Sequence, residues 1–296
     1  PKLHIMHIIT RMDMGGSAQN TLLTCLGLDS QGYRVTLVQG LSEESDMTAL
    51  EKKTVTKMLQ DAREQGVDII SVPALVRRIH PVHDARALFT LWRLIRAEKP
   101  DIVHTHTSKA GILGRWAAWL ARAPYIIHTP HGHVFYGHYA ALLSRLFLFT
   151  ERLTAPLTHR VVALTQGERA DYENLNLFKN DRLLTIHSGV DTGRFKNVRI
   201  DVRQKKKDLG LPTSSVVVGT VGWLLPIKGP DILLAAMKNL FDQFPEVVLI
   251  YVGKGKLEAS LKQTAAAWGI GDRVFFPGWR QDIPELMQIF DLLVLP

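Results

Sequence analysis

Cysteine is nearly absent from this sequence, since Cys25 is the only one among 296 residues. A single cysteine excludes an internal disulfide and favours a reducing, cytoplasmic setting. No apolar run approaches the roughly 18 residues that a membrane-spanning helix needs, and the first residues lack the layout of a signal peptide. We therefore expect a cytoplasmic protein that is either soluble or bound peripherally to the inner face of the plasma membrane.

Acidic residues are outnumbered, because 36 lysines and arginines stand against 28 aspartates and glutamates, which gives a net charge of +8. This charge favours an anionic partner such as a nucleotide, an anionic membrane surface or nucleic acid. No recognition-helix or RNA-binding signature accompanies the basic residues, so nucleic acid is not expected as a partner. The length suits two domains rather than one.

Several common catalytic motifs are also missing. The chain has no G-x-S-x-G nucleophile elbow, no Walker lysine motif, no D-x-D pair for a metal–diphosphate complex and no G-x-G-x-x-G fingerprint. These absences speak against a serine hydrolase, a P-loop nucleotidase and a dinucleotide-dependent enzyme.

Histidines are present in suggestive pairs. His104 and His106 alternate on a predicted strand and share one face, as do His131 and His133 if their segment is extended. A zinc site needs a third or fourth ligand, and no cysteine or glutamate spacing offers one. We therefore expect hydrogen-bonded histidines and no metal.

Strands and helices alternate along the chain. Apolar runs typical of strands occur at residues 3–10, 34–38, 67–72, 101–106, 160–165, 183–187, 216–221, 247–252, 273–277 and 291–296, and residues 125–133 form a strand that runs into a histidine-glycine loop. Helices are predicted between them, which indicates an α/β fold with parallel sheets covered by helices on both faces. The charged segment 196–210 is interpreted as the connection, so the predicted domains are 1–196 and 197–296, the second one with few strands and incomplete.

A pair of glycines marks the first strand-to-helix turn. Gly15 and Gly16 follow the strand at 3–10 and precede a helix predicted at 18–28, which Ser17 can cap. Glycines at such a turn allow a ligand to approach the backbone closely. A Gly-Gly turn is also common in proteins without any ligand at that position.

A second turn of this kind adds a lysine. Residues 219–230 lead from a strand into a helix predicted at 231–240, and they contain Gly222 and Lys228. Backbone N–H groups, a helix N-terminus and a lysine together suit a phosphate group. The alternative is a surface loop with a solvated lysine.

Polar residues follow two further strands. Thr107 and Ser108 come directly after the strand at 101–106 and are predicted to cap a helix at 109–122. His131 lies between a strand end and a glycine, where parallel sheets present functional groups. A catalytic or substrate-contacting role is therefore predicted for His131.

Two helices leave a membrane-contacting alternative open. Residues 84–98 form an amphipathic helix with arginines around its apolar side, for which packing on the sheet is the preferred interpretation. Residues 139–157 are apolar nearly all round, so this helix is either deeply buried or membrane-facing.

The motifs in this order resemble those of one known family. The chain is similar to retaining glycosyltransferases of the GT-B type, family 4, of the kind found in bacterial exopolysaccharide and glycolipid synthesis. The resemblance covers essentially the whole chain. Its motifs are residues 15–18 (GGSA), 101–106 (DIVHTH), 108–111 (SKAG), 127–132 (IHTPHG), 187–191 (HSGVD), 222–229 (GWLLPIKG), 252–255 (VGKG), 277–282 (PGWRQD) and 291–296 (DLLVLP).

The resemblance implies two Rossmann-like domains facing a cleft. The first would hold mainly a glycan or a polyprenyl- or other lipid-linked acceptor, and the second mainly a UDP- or GDP-linked sugar donor. The acceptor hydroxyl would enter on the face from which the nucleotide leaves. Neither a metal nor any other cofactor is expected.

The resemblance also implies roles for individual residues. Gly16 would approach the donor phosphates, Lys228 would bind the diphosphate, and His131 would contact the sugar near the reacting carbon. The backbone around Trp279 and Arg280 would contact the base. The other residues matched to the donor and phosphate site are Gly15, Gly222, Trp223 and Gly253, and those on the acceptor side are Thr107, Ser108 and Lys109.

Two departures from the family pattern keep alternatives open. The family usually has arginine where this chain has Trp223, and its E-x7-E segment is expected after Pro296. A sugar-nucleotide epimerase on the same fold and a non-catalytic module that binds sugar nucleotides or glycans therefore remain alternatives. A weaker one is a membrane-surface adaptor that uses the basic helices.

Overall fold

The computed structural model describes residues 2–41, 47–132 and 141–296. The chain divides into a first unit, Pro1–Val190, and a second unit, Asp191–Pro296. His133, which was paired with His131 above, lies outside the described residues.

The first unit is a parallel sheet with helices between its strands. Within its described part the strands are β1 (His4–Ile9), β2 (Arg34–Gln39), β3 (Asp68–Ser71), β4 (Ile102–His106), β5 (Tyr125–Thr129), β6 (Arg160–Ala163) and β7 (Leu183–Thr185). The helices are α1 (Gly16–Ser30), α2 (Ala49–Glu64), α3 (Pro81–Glu98), α4 (Ser108–Leu120), α5 (Ala141–Thr154) and α6 (Gln166–Asn174). The strand order is β3-β2-β1-β4-β5-β6-β7, which reverses direction between β1 and β4. Ligands of open α/β sheets bind at the carboxyl ends of the strands beside such a reversal.

Helix α4 packs unusually closely on the middle of this sheet. A Cβ on Gly111 would come within 2.4 Å of the His128 ring, and one on Gly114 within 2.7 Å of the Thr105 methyl. Because these glycines lack a side chain, α4 can approach both neighbours closely. Since side chains alternate along a strand, His104 and His106 point to the opposite face of β4.

The second unit repeats the pattern with fewer strands. Its described part contains α7 (Val202–Asp208), β8 (Val216–Val221), α8 (Pro230–Gln243), β9 (Val247–Val252), α9 (Glu258–Ala267), β10 (Val274–Gly278), α10 (Ile283–Met287) and β11 (Leu292–Leu293). The parallel strand order is β10-β9-β8-β11, with a reversal between β8 and β11. The predicted α/β fold with parallel sheets is thus confirmed in both units.

The segment predicted as a connection contains structure of its own. Helix α7 lies within residues 196–210, and Lys206 on it is buried and donates to the backbone oxygen of Ser215 at 2.7 Å. Lys205 forms an ion pair with Asp282 at 2.5 Å. Lys205 and Lys206 are therefore part of the second unit's packing, because their ammonium groups find partners there.

Helix α3 behaves as the sheet-packing interpretation predicts. Leu91 and Ile95 are buried and join the core formed with β1 and β4. Among the described residues, no helix is both long and apolar enough to cross a bilayer.

Candidate functional site

The carboxyl ends of β1, β4 and β5 are joined by threonines. The hydroxyl groups of Thr10 and Thr107 lie 2.9 Å apart, and the Thr107 N–H donates to the backbone oxygen of Thr129 at 3.1 Å. Thr10 also accepts a hydrogen bond from the N–H of Ala110 in the first turn of α4. The cap of α4 is therefore supplied by a residue of the neighbouring strand.

This arrangement corrects the predicted caps. Thr107 occupies the N-cap position of α4, yet its side chain makes no capping hydrogen bond, because its hydroxyl faces Thr10 instead. Ser108 is the first residue of the helix rather than its cap. The sequence pattern found the helix start but missed Thr10, whose role depends on the alignment of β1 beside β4.

Gly15 and Gly16 form the turn before α1. Gly15 is the N-cap and donates its N–H to the Asp13 carboxylate at 2.8 Å, while Gly16 is exposed and opens the helix. Asp13 is held in turn by Arg11 at 2.7 Å. Ser17 lies inside the first turn, so its predicted capping role is wrong. The turn is therefore open to a ligand at Gly16.

The ammonium group of Lys109 already has partners within the protein. Its ammonium group forms an ion pair with Asp84 at 2.5 Å and also donates to the backbone oxygen of Arg78. Its side chain is only 14% exposed. The predicted acceptor-side contact of Lys109 stays a prediction, and the pairing shows that its charge already has a partner.

His131 lies two residues beyond β5 in a left-handed backbone conformation, with φ of 58°. Such a conformation is costly for a residue other than glycine, so tertiary contacts must hold it. Gly132, which follows it, donates its N–H to Glu168 at 3.0 Å, and Glu168 also accepts from the N–H of Leu164 at 2.6 Å. Burial lowers the pKa of His131 to about 4, so the imidazole is neutral at pH 7.

His131 is linked to two further histidines. Its Nε2 lies 3.0 Å from Nδ1 of His106, and Nε2 of His106 lies 2.9 Å from Nδ1 of His7. His7 and His106 are fully buried, and burial lowers the pKa of both. We call His7, His106 and His131 the histidine chain.

Sequence reasoning missed His7. The signal lies in the register, because His7 on β1 stands directly beside His104 on β4. His7, His104 and His106 thereby bring one ring nitrogen each within 4.8 Å of one another. Both nitrogens of His106 and one each of His7 and His104 already meet protein partners, His104 through Thr129 at 2.8 Å. The group fits the predicted hydrogen-bonded histidines.

Three glycine loops lie side by side at the carboxyl ends of β8, β9 and β10. The Gly222 N–H donates to the backbone oxygen of Val252, and the Gly253 N–H donates to that of Gly278, both at 2.9 Å. A Cβ on Gly253 would lie 1.9 Å from the Gly222 oxygen, so no side chain fits there. The Leu224 N–H donates to the backbone oxygen of Lys254 at 2.9 Å and so adds a further contact between these loops. Two predicted phosphate-site glycines therefore make one backbone surface.

Lys228 and Trp223 lie on the loop between β8 and α8. Lys228 is exposed, and among the described residues its ammonium group has no hydrogen-bond or ion-pair partner. Gly229 adopts φ of 59° and forms the N-cap of α8, directly after the lysine. Trp223 is 40% exposed and supplies no charge in the place of the family's usual arginine.

Trp279 and Arg280 follow β10, and both are half-buried. The Arg280 guanidinium binds the Asp282 carboxylate through two hydrogen bonds, at 2.8 and 2.7 Å. This pairing holds the pKa of Asp282 well below its usual value, with help from Lys205. Because the Arg280 side chain is turned to Asp282, a contact with a base would fall to the backbone here, as the resemblance implies.

Two solved structures share this fold over nearly the whole chain. Anabaena Alr3699/HepE, solved in complex with UDP, has a TM-score of 0.72 and 20% identity, and the match covers 99% of this chain and 74% of that one. WaaG, a glycosyltransferase involved in lipopolysaccharide biosynthesis, has a TM-score of 0.67 and 16% identity over 99% of this chain and 75% of that one. Identities this low show the shared fold alone.

Family comparisons assign both units. Residues 15–189 match the glycosyl transferase 4-like domain, and residues 201–296 match the glycosyl transferases group 1. The chain therefore belongs to the glycosyltransferase family that these two models describe, with the 4-like domain first and the group 1 domain second.

Curated relatives support the same assignment. The UDP-Gal:alpha-D-GlcNAc-diphosphoundecaprenol alpha-1,3-galactosyltransferase of Escherichia coli is 34% identical over 80% of this chain and 62% of its own length. The D-inositol 3-phosphate glycosyltransferase of Mycobacterium marinum is 32% identical over 66% of this chain and 43% of its own length. This chain therefore spans between two fifths and two thirds of the length of these relatives.

Proposed function

We propose that this protein is a retaining glycosyltransferase that moves a hexose or N-acetylhexosamine from a nucleotide-diphosphate sugar to a glycan or lipid-linked acceptor. The observation that carries the proposal is the loop surface of the second unit. Gly222 and Gly253 keep side chains away from this surface, and Lys228 adds an exposed ammonium group that has no partner among the described residues. Departure of a nucleoside diphosphate develops negative charge, which an unpaired cation such as Lys228 stabilises.

A UDP-linked donor and a polyprenyl-diphosphate-linked acceptor are the substrates that we favour. The support is the activity of the Escherichia coli relative, which is 34% identical over 80% of this chain. The roles of Gly16 toward the donor phosphates and of His131 toward the sugar belong to this proposal. So does the absence of any metal requirement, because Lys228 would supply the positive charge that a metal supplies in other enzymes.

Calorimetry with UDP and uridine tests the phosphate role. We expect Lys228→Ala to weaken binding of UDP by about tenfold or more, which is about 1.4 kcal/mol. Binding of uridine should change little, since uridine carries no phosphate. Lys207→Ala is the matched control, because Lys207 is an exposed lysine of α7 in the same unit. Equal losses for UDP and uridine would contradict the proposal, as would a requirement for added metal after treatment with EDTA.

A transfer assay separates the remaining alternatives. Consumption of the UDP-sugar only when a polyprenyl-diphosphate-linked sugar is present supports the transferase. Turnover of the donor without any acceptor would indicate an epimerase, and binding without turnover would indicate a non-catalytic module.

We also propose that α5 rests on an anionic membrane surface, which suits a lipid-linked acceptor. Its exposed face carries Leu142, Leu146, Phe149 and Leu153, whose exposed fractions lie between 51% and 81%. Its buried face carries Ser144, Glu151 and Thr154 instead. A helix that buries polar groups and exposes leucines gains free energy when its apolar face enters an interface.

Two arginines support the choice of an anionic surface. Arg145 and Arg152 are exposed on the same helix and would meet lipid headgroups. Co-sedimentation with phosphatidylglycerol vesicles should therefore exceed that with phosphatidylcholine vesicles. Phe149→Ser should reduce it severalfold, whereas Phe89→Ser, at an exposed phenylalanine of α3, should not. Equal binding by both variants would contradict this use of α5.

A further inference from the structure

The histidine chain contains a constraint on where its protons lie. A neutral imidazole carries one proton, so one ring nitrogen donates and the other accepts. His106 contacts His7 through Nε2 and His131 through Nδ1. His106 must therefore accept from one neighbouring histidine and donate to the other. Both hydrogen bonds then point either from His7 toward His131 or from His131 toward His7.

The environment keeps all three rings neutral. His7 and His106 are buried to 0% and 1% exposure, and the described residues bring no carboxylate into hydrogen bond with either of them. Burial lowers the pKa of His7 and His131 to about 4. A proton added to this chain would thus be an uncompensated buried charge.

The far end of the chain selects the direction. Nε2 of His7 is buried and has no hydrogen-bond partner among the described residues. If the chain ran from His131 to His7, this nitrogen would carry a buried N–H without an acceptor. If it runs from His7 to His131, the same nitrogen carries only an unused lone pair. Orphaned buried N–H groups are the rarer and costlier case.

We propose that His7 and His106 are positioning residues that hold His131 in the tautomer with its proton on Nδ1. His131 then accepts from His106 through Nε2 and offers Nδ1–H to a ligand. It meets a ligand oxygen, such as a hydroxyl, as a neutral hydrogen-bond donor, and it has no free basic nitrogen with which to remove a proton. Only the identity of that oxygen as a sugar or acceptor oxygen rests on the proposed function.

The tautomers can be measured directly by long-range 1H–15N correlation spectra. The protein is labelled with 15N-histidine and measured near pH 7.5 without substrate. We expect His131 and His106 each to show a protonated Nδ1 and an unprotonated Nε2. A protonated Nε2 on His131 in the unmodified chain would overturn the proposal. Because no substrate is present, this result is independent of whether the protein transfers sugar.

Variants test the two positioning residues. His7→Phe should shift part of the His131 population to the Nε2–H tautomer, since His106 loses its donor. His4→Phe is the control, because His4 lies on the same strand as His7 but contacts Thr36, which is not part of the histidine chain. His106→Asn, which keeps a donor near the Nδ1 position, should retain the Nδ1–H form of His131, and His106→Leu should lose it. An unchanged His131 spectrum in His7→Phe and His106→Leu would overturn the roles of His7 and His106. If a variant does not fold, the spectrum of the unmodified chain still decides the tautomer.

Discussion

The two units hold their strand ends by different means. All 12 histidines lie within residues 1–190, and the second unit has none. The first unit joins its strand ends through buried side chains, with the histidine chain and the threonine pair as examples. The second unit joins its loops through backbone groups of Gly222, Gly253 and Gly278.

This difference indicates which changes should destabilise each unit. Side-chain hydrogen bonds depend on protonation state and on both partners being present. Backbone contacts at close range depend only on the absence of a Cβ. The first unit should therefore respond to acid and to loss of a polar partner, and the second to added volume.

Loss of a buried ion-pair partner should give the largest effect. Arg115 is fully buried and binds both oxygens of Glu151, at 2.8 and 2.7 Å. Arg115→Met leaves the Glu151 charge buried without its partner and should lower the free energy of unfolding by about 3–5 kcal/mol. Urea denaturation measures the change, with the exposed Arg96→Met of α3 as the control.

The double variant Arg115→Met with Glu151→Leu sharpens this result. Replacing both charges by apolar groups should restore much of the lost stability. A double variant as unstable as Arg115→Met would show that packing, rather than the unpaired charge, causes the loss.

A methyl group at Gly253 should give the next largest effect. Its Cβ would lie 1.9 Å from the Gly222 oxygen, and its φ of 145° disfavours alanine as well. We expect Gly253→Ala to lower the free energy of unfolding by about 3 kcal/mol and to weaken UDP binding. Gly27→Ala should instead be neutral or stabilising by up to about 1 kcal/mol, since Gly27 lies in α1 with no atom near its Cβ position. Equal stability of both variants would contradict the expectation that added volume at Gly253 destabilises the second unit.

Acid should destabilise the first unit gradually, and the contribution of one histidine near pH 5.5 is the smallest of these effects. The folded pKa of His7, about 4, is below the ordinary value of 6.5, so the unfolded chain binds more protons between these values. Stability is therefore full above about pH 6.5 and falls as the pH decreases toward 4, by about 1.4 kcal/mol per pH unit for each such histidine.

Urea denaturation near pH 7 and near pH 5.5 measures this slope. His7→Phe should reduce it by about the contribution of one histidine. The second unit, which lacks histidine, should not contribute to the slope through this residue type. A slope that His7→Phe leaves unchanged would contradict the neutral state of His7.

The sequence by itself determined the α/β class, the position of nearly every strand and the turns at Gly15, Gly222 and Lys228. These features depend on local periodicity and on glycine at strand ends, which are visible without neighbours. The family membership of both units was visible in the order of such motifs, and comparison with known glycosyltransferases confirmed it.

The contacts between strands are visible only in the folded structure. The register that sets His7 beside His104, and Thr10 beside the start of α4, arises from β1 and β4, whose paired residues are 97 positions apart in the chain. Helix α5 could be read as buried or membrane-facing, and the structure exposes its leucines because Glu151 must reach Arg115. Periodicity reports which residues share a face, but the partner that covers that face is chosen by packing across the whole unit.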